Sequence, residues 1–492
     1  MNTLKRTLAL VATLAMSATA FVSCGSDDSS SSKKASTTAA STEAGSGASE
    51  ASTAANASAA STKAAEKPSK GNSTTLGEVK LGKGGSEFSI AAWNEDDVPF
   101  LIDLWAQNGG DKGKVKFTSF GVGGGDASEK YDALFQSGKD LDVYFCEADW
   151  ALKYINDDTK TAALEDLGFS DDNFSDVYSY TTEIGRATEG ANKGKMVGAS
   201  WQAAAGGFAY RTDLAEQYLG VKTPEEMQKK INNWDNFVAA ATEVATKTDG
   251  KVALADSLGG MWQVFAANRK TPWVANGRVA FDQECEKFAK YAKTLWDNGG
   301  VTKNGQWTDS WIPAGKDGSA MGYFVSTWGF GEKAFFGQAS SESYGKWAVV
   351  QGPSAYFWGG TWIVVNPKTD NAEEAQQFIY TATVNPETMR KLALDKPEYV
   401  NNRTVMQTIV DNNECPNEWV TKDLNGQNYF AELHENAKSI DLKGLITPYD
   451  ATIKTNFINA VQKEYCEGGA SYEDTISKAL SDVLTAIPDL AK

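Results

Sequence analysis

Six tryptophans stand where an indole face could contact a ligand. They lie at the ends of predicted strands or in Gly-rich connections: Trp93, Trp150, Trp201, Trp262, Trp328 and Trp358. An indole offers a flat apolar face with an N–H at its rim. A sugar ring matches that surface, because it presents C–H faces for stacking and hydroxyls for hydrogen bonds. Packing against the hydrophobic core is the alternative for each of these side chains.

Two acidic residues occupy the position at which α/β sheets bind ligands. Glu147 and Asp149 follow the predicted strand Leu141–Cys146, and open α/β sheets bind ligands at the carboxyl ends of their strands. Carboxylates at this edge could accept pairs of sugar hydroxyls. Glycoside hydrolases also use paired carboxylates, so that class of enzyme is an alternative. A solvated acidic surface is the default role of most other acids in the chain.

Several other chemistries are disfavoured by composition. The chain has 492 residues, a formal net charge of −17 and one histidine, His434. Histidine-based triads, multi-histidine zinc sites and haem ligation therefore lack their usual residue. The acidity disfavours nucleic acid as a partner, because acidic surfaces repel phosphates. The loop Gly121–Asp126 lacks the last glycine of a dinucleotide fingerprint. We expect no cofactor, no metal and no catalytic residue.

The start of the chain has the pattern of an export signal followed by a tether. A basic start precedes an apolar run, Leu8–Val22, which is short for a stable membrane anchor. The small residue Ser23 before Cys24 resembles a bacterial lipobox, which implies cleavage before Cys24 and a lipid on its sulfur. An ordinary signal peptide is the alternative. Residues 25–75 are mostly Ser, Ala and Thr, which predicts a disordered tether.

Four cysteines remain beyond the lipobox, and none forms a CxxC pair: Cys146, Cys285, Cys415 and Cys466. The spacing therefore gives no metal or redox motif. An exported protein permits disulfides, and Cys415 with Cys466 is the first pairing to test. Free buried thiols are the alternative.

The elements that must position the candidate residues alternate between strands and helices, which indicates an α/β fold. Strands are predicted at Phe88–Trp93, Lys114–Phe120, Leu141–Cys146, Met196–Ser200, Gly207–Tyr210, Trp347–Val350 and Trp362–Val365. Helices are predicted between and after them. One begins at Thr223-Pro224, an N-cap followed by proline at the first helical position.

Taken in order, several segments resemble the carbohydrate-binding group of extracellular solute-binding proteins of ABC importers, the maltose-binding-protein-like family 1. The segments that carry the resemblance are Tyr131–Trp150, Gly194–Leu214, Trp234–Phe237, Gly318–Trp328, Gly352–Val365 and Lys396–Arg403. They span nearly the whole body, from about Phe88 to Leu484. The resemblance implies a two-lobed periplasmic-binding-protein-like fold of type II, with three interlobe crossings and a ligand cleft that closes by hinge bending.

The resemblance also implies domain bounds and contact residues. Residues 1–24 would be the lipoprotein signal peptide and 25–75 the tether. The N-terminal lobe would comprise 76–200 and 355–397, and the C-terminal lobe 201–354 and 398–492. The substrate contacts carried over are Asn94, Glu95, Glu147, Asp149, Trp150, Trp201, Gln202, Asp256, Trp262, Trp328, Trp358, Gly359 and Arg403. Trp328 would be the stacking platform for a pyranose ring.

We therefore predict a monomeric binding protein rather than an enzyme, anchored by a lipid on the extracytoplasmic face of a bacterial membrane. It would bind an oligosaccharide and deliver it to the permease subunits of an ABC importer. A binding protein for a polyamine, peptide or amino acid is the first alternative, because the acids and tryptophans would also suit a polyamine. A glycoside hydrolase is the second alternative.

Overall fold

Two separate β-sheets form the framework of the computed structural model, which describes residues 71–93, 95, 97–121, 123–138, 141–330, 343–414 and 424–491. The strands are β1 (Phe88–Ala92), β2 (Val115–Ser119), β3 (Val143–Glu147), β4 (Ala199–Ser200), β5 (Gly206–Arg211), β6 (Ala253–Ala255), β7 (Val274–Ala275), β8 (Arg278–Val279), β9 (Ala320–Ser326), β10 (Trp347–Val350) and β11 (Thr361–Val365). Strands β7 and β8 form a separate small hairpin.

The first sheet has the strand order β2-β1-β3-β11-β4. Strand β1 pairs in parallel with β2 and with β3, whereas β11 runs antiparallel to β3 and β4. Strands β1 and β11 are buried along their whole length, as expected where helices cover both faces of a sheet. The parallel pairing brings the carboxyl ends of β1, β2 and β3 to one edge.

The second sheet has the order β10-β5-β9-β6. Strand β6 is parallel to β9, and the other pairs are antiparallel. Every residue of β9 is buried. This strand therefore lies at the centre of a lobe. Its burial fixes the position of Ser326, from which the following residues Thr327 and Trp328 extend.

Helices pack around both sheets. Their bounds are α1 (Asp97–Gln107), α2 (Ala127–Gln136), α3 (Ala151–Ile155), α4 (Ser179–Gly185), α5 (Thr212–Leu219), α6 (Pro224–Lys230), α7 (Trp234–Thr248), α8 (Leu258–Ala267), α9 (Gln283–Asn298), α10 (Trp311–Asp317), α11 (Ala372–Ile379), α12 (Pro386–Asp395), α13 (Arg403–Asp411), α14 (Phe430–Ala437), α15 (Asp450–Ala460) and α16 (Tyr472–Ala486). Helix α6 begins as predicted, because the Thr223 side chain accepts a hydrogen bond from the Glu226 N–H. Among the described helices, none combines the length and apolar character that a membrane crossing requires.

Three segments connect the two sheets and hydrogen-bond to one another. The first crossing, residues 201–205, joins β4 to β5, the second, residues 351–360, joins β10 to β11, and the third, residues 396–402, leads from α12 to α13. The Ala203 N–H donates to the Tyr399 carbonyl at 3.0 Å, and the Trp358 N–H donates to the Ala204 carbonyl at 3.0 Å. The first crossing is thus the middle of a three-segment ladder. This is the two-lobed α/β architecture with three crossings that the sequence predicts.

The start of the folded body lies earlier than expected. The Ser73 N–H donates to the Asp172 carbonyl at 2.9 Å, and the Asn173 side-chain amide donates to the Ser73 carbonyl at 2.7 Å. Residues 71–75, which the composition assigns to the tether, are therefore bonded to the N-terminal lobe. Their short polar side chains carry no apolar signal, so composition alone could not reveal this attachment. Cys24 and the rest of the leader and tether lie outside the described residues.

Candidate functional site

The carboxyl ends of the parallel strands bring two tryptophans together. Trp93 directly follows β1, and Trp150 lies three residues after β3. Their ring centroids are 6.0 Å apart with an interplanar angle of 70°. The Trp150 Nε1–H donates to the Gly124 carbonyl at 2.9 Å, in the loop after β2. All three strand ends therefore contribute to one surface, with Trp150 buried beneath the partly exposed Trp93.

Glu147, the last residue of β3, lies at the centre of this surface. A Cβ placed on Gly124 would be 3.3 Å from the Glu147 Cγ and 3.3 Å from the Trp93 Nε1. One Glu147 oxygen accepts the Asp149 N–H at 2.9 Å. Burial, followed by the nearby charge of Asp149, raises the pKa of Glu147 to about 8. The carboxyl is therefore mostly protonated at neutral pH in the ligand-free protein.

Asp149 joins the two lobes through an ion pair. Its carboxylate oxygens lie 2.8 and 3.0 Å from the Nζ of Lys454 in α15. The lysine side chain is 14% exposed, so this contact is more sheltered than an ordinary surface pair. The Trp262 Nε1–H donates to the Lys454 carbonyl at 3.1 Å and helps to fix this turn of the helix.

The second sheet contributes Trp328, which lies in the single turn Thr327–Phe330 after β9. Its Nε1–H donates to the Trp358 carbonyl at 3.0 Å, and the two rings meet edge to face at 4.8 Å and 86°. A Cβ on Gly359 would lie 3.3 Å from the Trp328 Nε1 and 3.9 Å from a Glu147 oxygen. Gly359 also has a φ of +74°, which favours glycine. Trp328 and Glu147 therefore both lie close to Gly359, so the two sheet edges meet at this glycine.

Glu398, on the third crossing, connects the hinge to the aromatic cluster. It accepts hydrogen bonds from the Gln202 side-chain amide at 2.7 Å and from the Thr327 hydroxyl at 2.6 Å. Its side chain is buried, and burial raises its pKa to about 7. Glu398 therefore links the first crossing to the residue that precedes Trp328.

Several predicted contacts lie away from this surface. Trp201 is buried with its ring 5.6 Å from that of Phe145. Trp262 is buried between the rings of Trp273 and Phe457, at centroid distances of 5.6 and 4.5 Å, so both of its faces are covered. Both tryptophans therefore pack in the hydrophobic core, which is the alternative that the sequence left open for them.

Asp256 and Arg403 also have structural partners. The fully buried Asp256 accepts hydrogen bonds from the Ser257 hydroxyl and from the Trp311 Nε1–H, both at 2.6 Å. Arg403 lies 3.7 Å from the Asp176 carboxylate and donates to the Ser175 carbonyl at 2.8 Å. Glu95 is exposed beside Trp93, and Asn94 lies outside the described residues.

The structure adds residues that the sequence did not assign to the site. They are Trp93, Gly124, Trp307, Thr327, Glu398 and Lys454. Trp93 was singled out as a strand-end indole, but the resemblance carried no contact onto it. Trp307 lies in a polar stretch without helical or strand periodicity. An aromatic residue in such a stretch could have indicated a ligand contact. Lys454 had no signal, because its partner is 305 positions away in sequence.

The described part of the chain contains no cluster of metal-ligating residues and no disulfide. No group of three or more potential ligands among His, Cys, Asp and Glu occurs there. Cys146, Cys285 and Cys466 are buried free thiols. Because Cys466 is a free thiol, its predicted pairing with Cys415 is not formed in this structure; Cys415 itself lies outside the described residues.

Comparison with known proteins gives one family and many structural neighbours. The family model of the bacterial extracellular solute-binding proteins matches residues 105–424. A solved extracellular solute-binding protein of family 1 is 20% identical with a TM-score of 0.69, over 82% of this chain and 100% of that one. No curated protein matches the chain by sequence.

Several of the structural neighbours were solved with a sugar bound, among them two proteins of bifidobacterial origin. The galacto-N-biose-/lacto-N-biose I-binding protein of a Bifidobacterium longum ABC transporter, solved with lacto-N-biose, is 17% identical with a TM-score of 0.64, over 83% of this chain and 100% of that one. A binding protein from B. animalis subsp. lactis, solved with β-1,6-galactobiose, is 19% identical with a TM-score of 0.61, over 82% and 97% of the two chains. At these identities the likeness concerns the fold.

Proposed function

Because the chain belongs to the bacterial extracellular solute-binding proteins, we propose that it binds a carbohydrate between its lobes and delivers it to the permease of an ABC importer. Membership confirms the resemblance predicted from the sequence, and it places the protein among binding proteins rather than enzymes. The family is extracellular, which supports an extracytoplasmic location. The class of solute has to be inferred from the residues of the candidate site.

The observation that carries the proposal is the combination of indoles and a carboxyl group where the two sheets meet. Trp93 and Trp328 flank Glu147, and the Trp358 ring packs against Trp328. Indole faces stack on the C–H faces of pyranose rings, while the carboxyl group and the peptide groups near Gly359 can bond hydroxyls. We propose contacts from Asn94, Glu95, Glu147, Asp149, Trp150, Trp328, Trp358 and Gly359, with Trp93 added.

A polyamine is less well matched to the same surface. A polycation needs ionised carboxylates that are available to pair with it. Asp149 is already paired with Lys454. A polycation would have to displace this lysine to reach the Asp149 carboxylate, whereas a neutral, hydroxyl-rich ligand would not.

We further propose that the chain is cleaved before Cys24 and held at the membrane by a lipid on that residue. A flexible tether would let the body clear the membrane surface and reach the permease. Because residues 71–75 are bonded to the N-terminal lobe, the tether would end at or before residue 70. We also propose lobe bounds near residues 200, 355 and 398, and the positions of the three crossings support this proposal.

The test is isothermal calorimetry of the mature protein against a panel of xylo-, malto- and galacto-oligosaccharides, with spermidine as the competing ligand class. We expect one class of sugar to bind and Trp328→Ala to weaken it at least about tenfold, equivalent to about 1.4 kcal/mol. Trp296→Ala is the matched control, since this indole lies in α9 and is buried in the core of the C-terminal lobe. Binding of spermidine without any sugar would reject the carbohydrate assignment.

A further inference from the structure

Trp307 occupies an unusual position at the edge of the aromatic cluster. Trp307 is 66% exposed, although its ring contacts those of three other tryptophans. The centroid distances are 4.8 Å to Trp311, 5.6 Å to Trp328 and 6.1 Å to Trp358. With Trp328 the interplanar angle is 29°, so one indole lies over the face of the other. Trp307 thus covers the surface proposed as the stacking platform.

The backbone at Trp307 is strained. Its φ is +65°, a left-handed conformation that non-glycine residues with large side chains rarely adopt. The energy of this strain is comparable in size to that of one aromatic pair. The loop therefore holds Trp307 over Trp328 at a conformational cost.

The neighbours of Trp307 are held more firmly. Trp328 is fixed by its hydrogen bond to the Trp358 carbonyl. Trp311 is 1% exposed and donates from its Nε1–H to the buried Asp256. Trp307 is therefore the most exposed ring of this group, and it rests against the buried edge of Trp311.

We propose that Trp307 and Trp328 are the two walls of a slot into which a pyranose ring of the ligand inserts, an inference that rests on the proposed carbohydrate binding. A ring in contact with an indole on each side needs about 7–8 Å between them, twice the carbon–carbon contact distance. The present 5.6 Å is too short, so Trp307 moves outward and then packs on the far face of the sugar. Trp307 is a specificity-determining residue, because substituents above either ring face would prevent the double stack.

The test combines a measurement without ligand and one with ligand. In the ligand-free protein, two stacked indoles couple electronically and give a paired band in the far-ultraviolet circular dichroism spectrum. Other close pairs such as Trp262 and Trp273 contribute bands of the same kind, so the coupling of Trp307 with Trp328 is read from difference spectra. We expect Trp307→Phe and Trp328→Phe to remove a shared component of the band, and saturating sugar to reduce that component in the parent. In calorimetry, Trp307→Ala should weaken sugar binding about tenfold, and Trp307→Phe should retain most of the affinity. Asp309→Ala, an exposed change in the same loop, is the control and should bind as the parent does.

The outcomes separate the slot from the function on which it rests. If the parent binds no sugar of the panel, the proposed function fails and the slot fails with it. If the parent binds but Trp307→Ala binds equally well or more tightly, the function stands and the slot is wrong, because Trp307 would then only obstruct Trp328. Insertion between the rings would also be rejected if saturating sugar left unchanged the component of the band that both variants remove.

Discussion

Glu147 is the residue on which the chemistry of the site depends most. Burial and the neighbouring Asp149 raise its pKa to about 8, so the ligand-free site presents a neutral carboxylic acid at pH 7. Sugar hydroxyls that donate to this group favour its ionised form, because hydrogen bonds to a charged acceptor are roughly twice as strong as neutral ones. Ligand binding should therefore lower this pKa and release a proton.

The proton release predicts how sugar affinity depends on pH. Below about pH 8 the parent must deprotonate Glu147 to bind, so affinity should rise from pH 6 to pH 8 and level off above. Glu147→Gln should bind about ten- to a hundredfold more weakly, since a hydrogen bond to a charged group contributes about 1.5–3 kcal/mol. Its affinity should not change across this pH range. Calorimetry in buffers of different ionisation enthalpy would measure both the affinity and the protons released.

A matched control for this prediction is Glu129→Gln, which changes an exposed acid of α2 in the same lobe. This variant should follow the parent's pH profile. An affinity that falls as pH rises from 6 to 8 would contradict the role of Glu147 as an acceptor, because the neutral acid would then be the form that binds.

At the scale of the elements, the three crossings form the hinge between the lobes, and they also hold Trp328 in position. Gln202 on the first crossing and Thr327 after β9 both donate to Glu398 on the third. All three side chains are buried. Because Thr327 precedes Trp328, the orientation of the stacking surface depends on a hydrogen bond to the hinge.

Removing the acceptor from this element should lower stability. Glu398→Ala leaves two buried donors unsatisfied, at about 1–3 kcal/mol each, so we expect the free energy of unfolding to fall by roughly 2–5 kcal/mol. Glu398→Gln keeps an acceptor for one donor and should cost less. Glu435→Ala, which removes only a surface pair with Lys438, should change stability by about 0.5 kcal/mol or less. Denaturant unfolding followed by tryptophan fluorescence measures all three, and equal effects of Glu398→Ala and Glu435→Ala would refute the hinge role.

The elements were more predictable from the sequence than the site was. Strand β3 and its following acids are marked by an apolar run, and the Thr223-Pro224 helix start is a local hydrogen-bonding pattern, so each can be read within a few residues. The burial of Trp262 depends on Phe457, which is far away in sequence. The Asp149–Lys454 pair and the Gly359–Trp328 contact likewise arise only when distant segments meet. A strand-end tryptophan can therefore be located from sequence, but its exposed face cannot.

At the scale of the whole molecule, three buried carboxyl groups make the stability of the fold depend on pH. Burial raises the pKa of Glu147 to about 8, of Glu398 to about 7 and of Asp256 to about 6. Each group has a lower pKa in the unfolded chain, so between about pH 4 and these values the folded protein binds more protons. These groups contribute their full stabilisation at a pH below their pKa in the unfolded chain. That stabilisation is lost as the pH rises through their pKa in the folded protein. His434 acts oppositely, since burial lowers its pKa to about 4, and its contribution is lost as pH falls below about 6.5.

These opposing dependences predict a ligand-free protein that is more stable near pH 6 than near pH 8.5. Above about pH 6.5 His434 is neutral in both states and contributes no slope, so the buried acids Glu147 and Glu398 set the direction. Toward pH 8.5 the buried thiols, such as Cys146, add to the same fall, because burial raises the pKa of the Cys146 thiol. Melting temperature measured by calorimetry from pH 6 to pH 8.5 should therefore fall in the parent and fall much less in the double variant Glu147→Gln, Glu398→Gln. Saturating sugar should also flatten the profile, because it favours the ionised form of Glu147. A parent whose melting temperature rises over this range would show that these carboxyls ionise readily in the folded state, and it would remove the basis for proton release on binding.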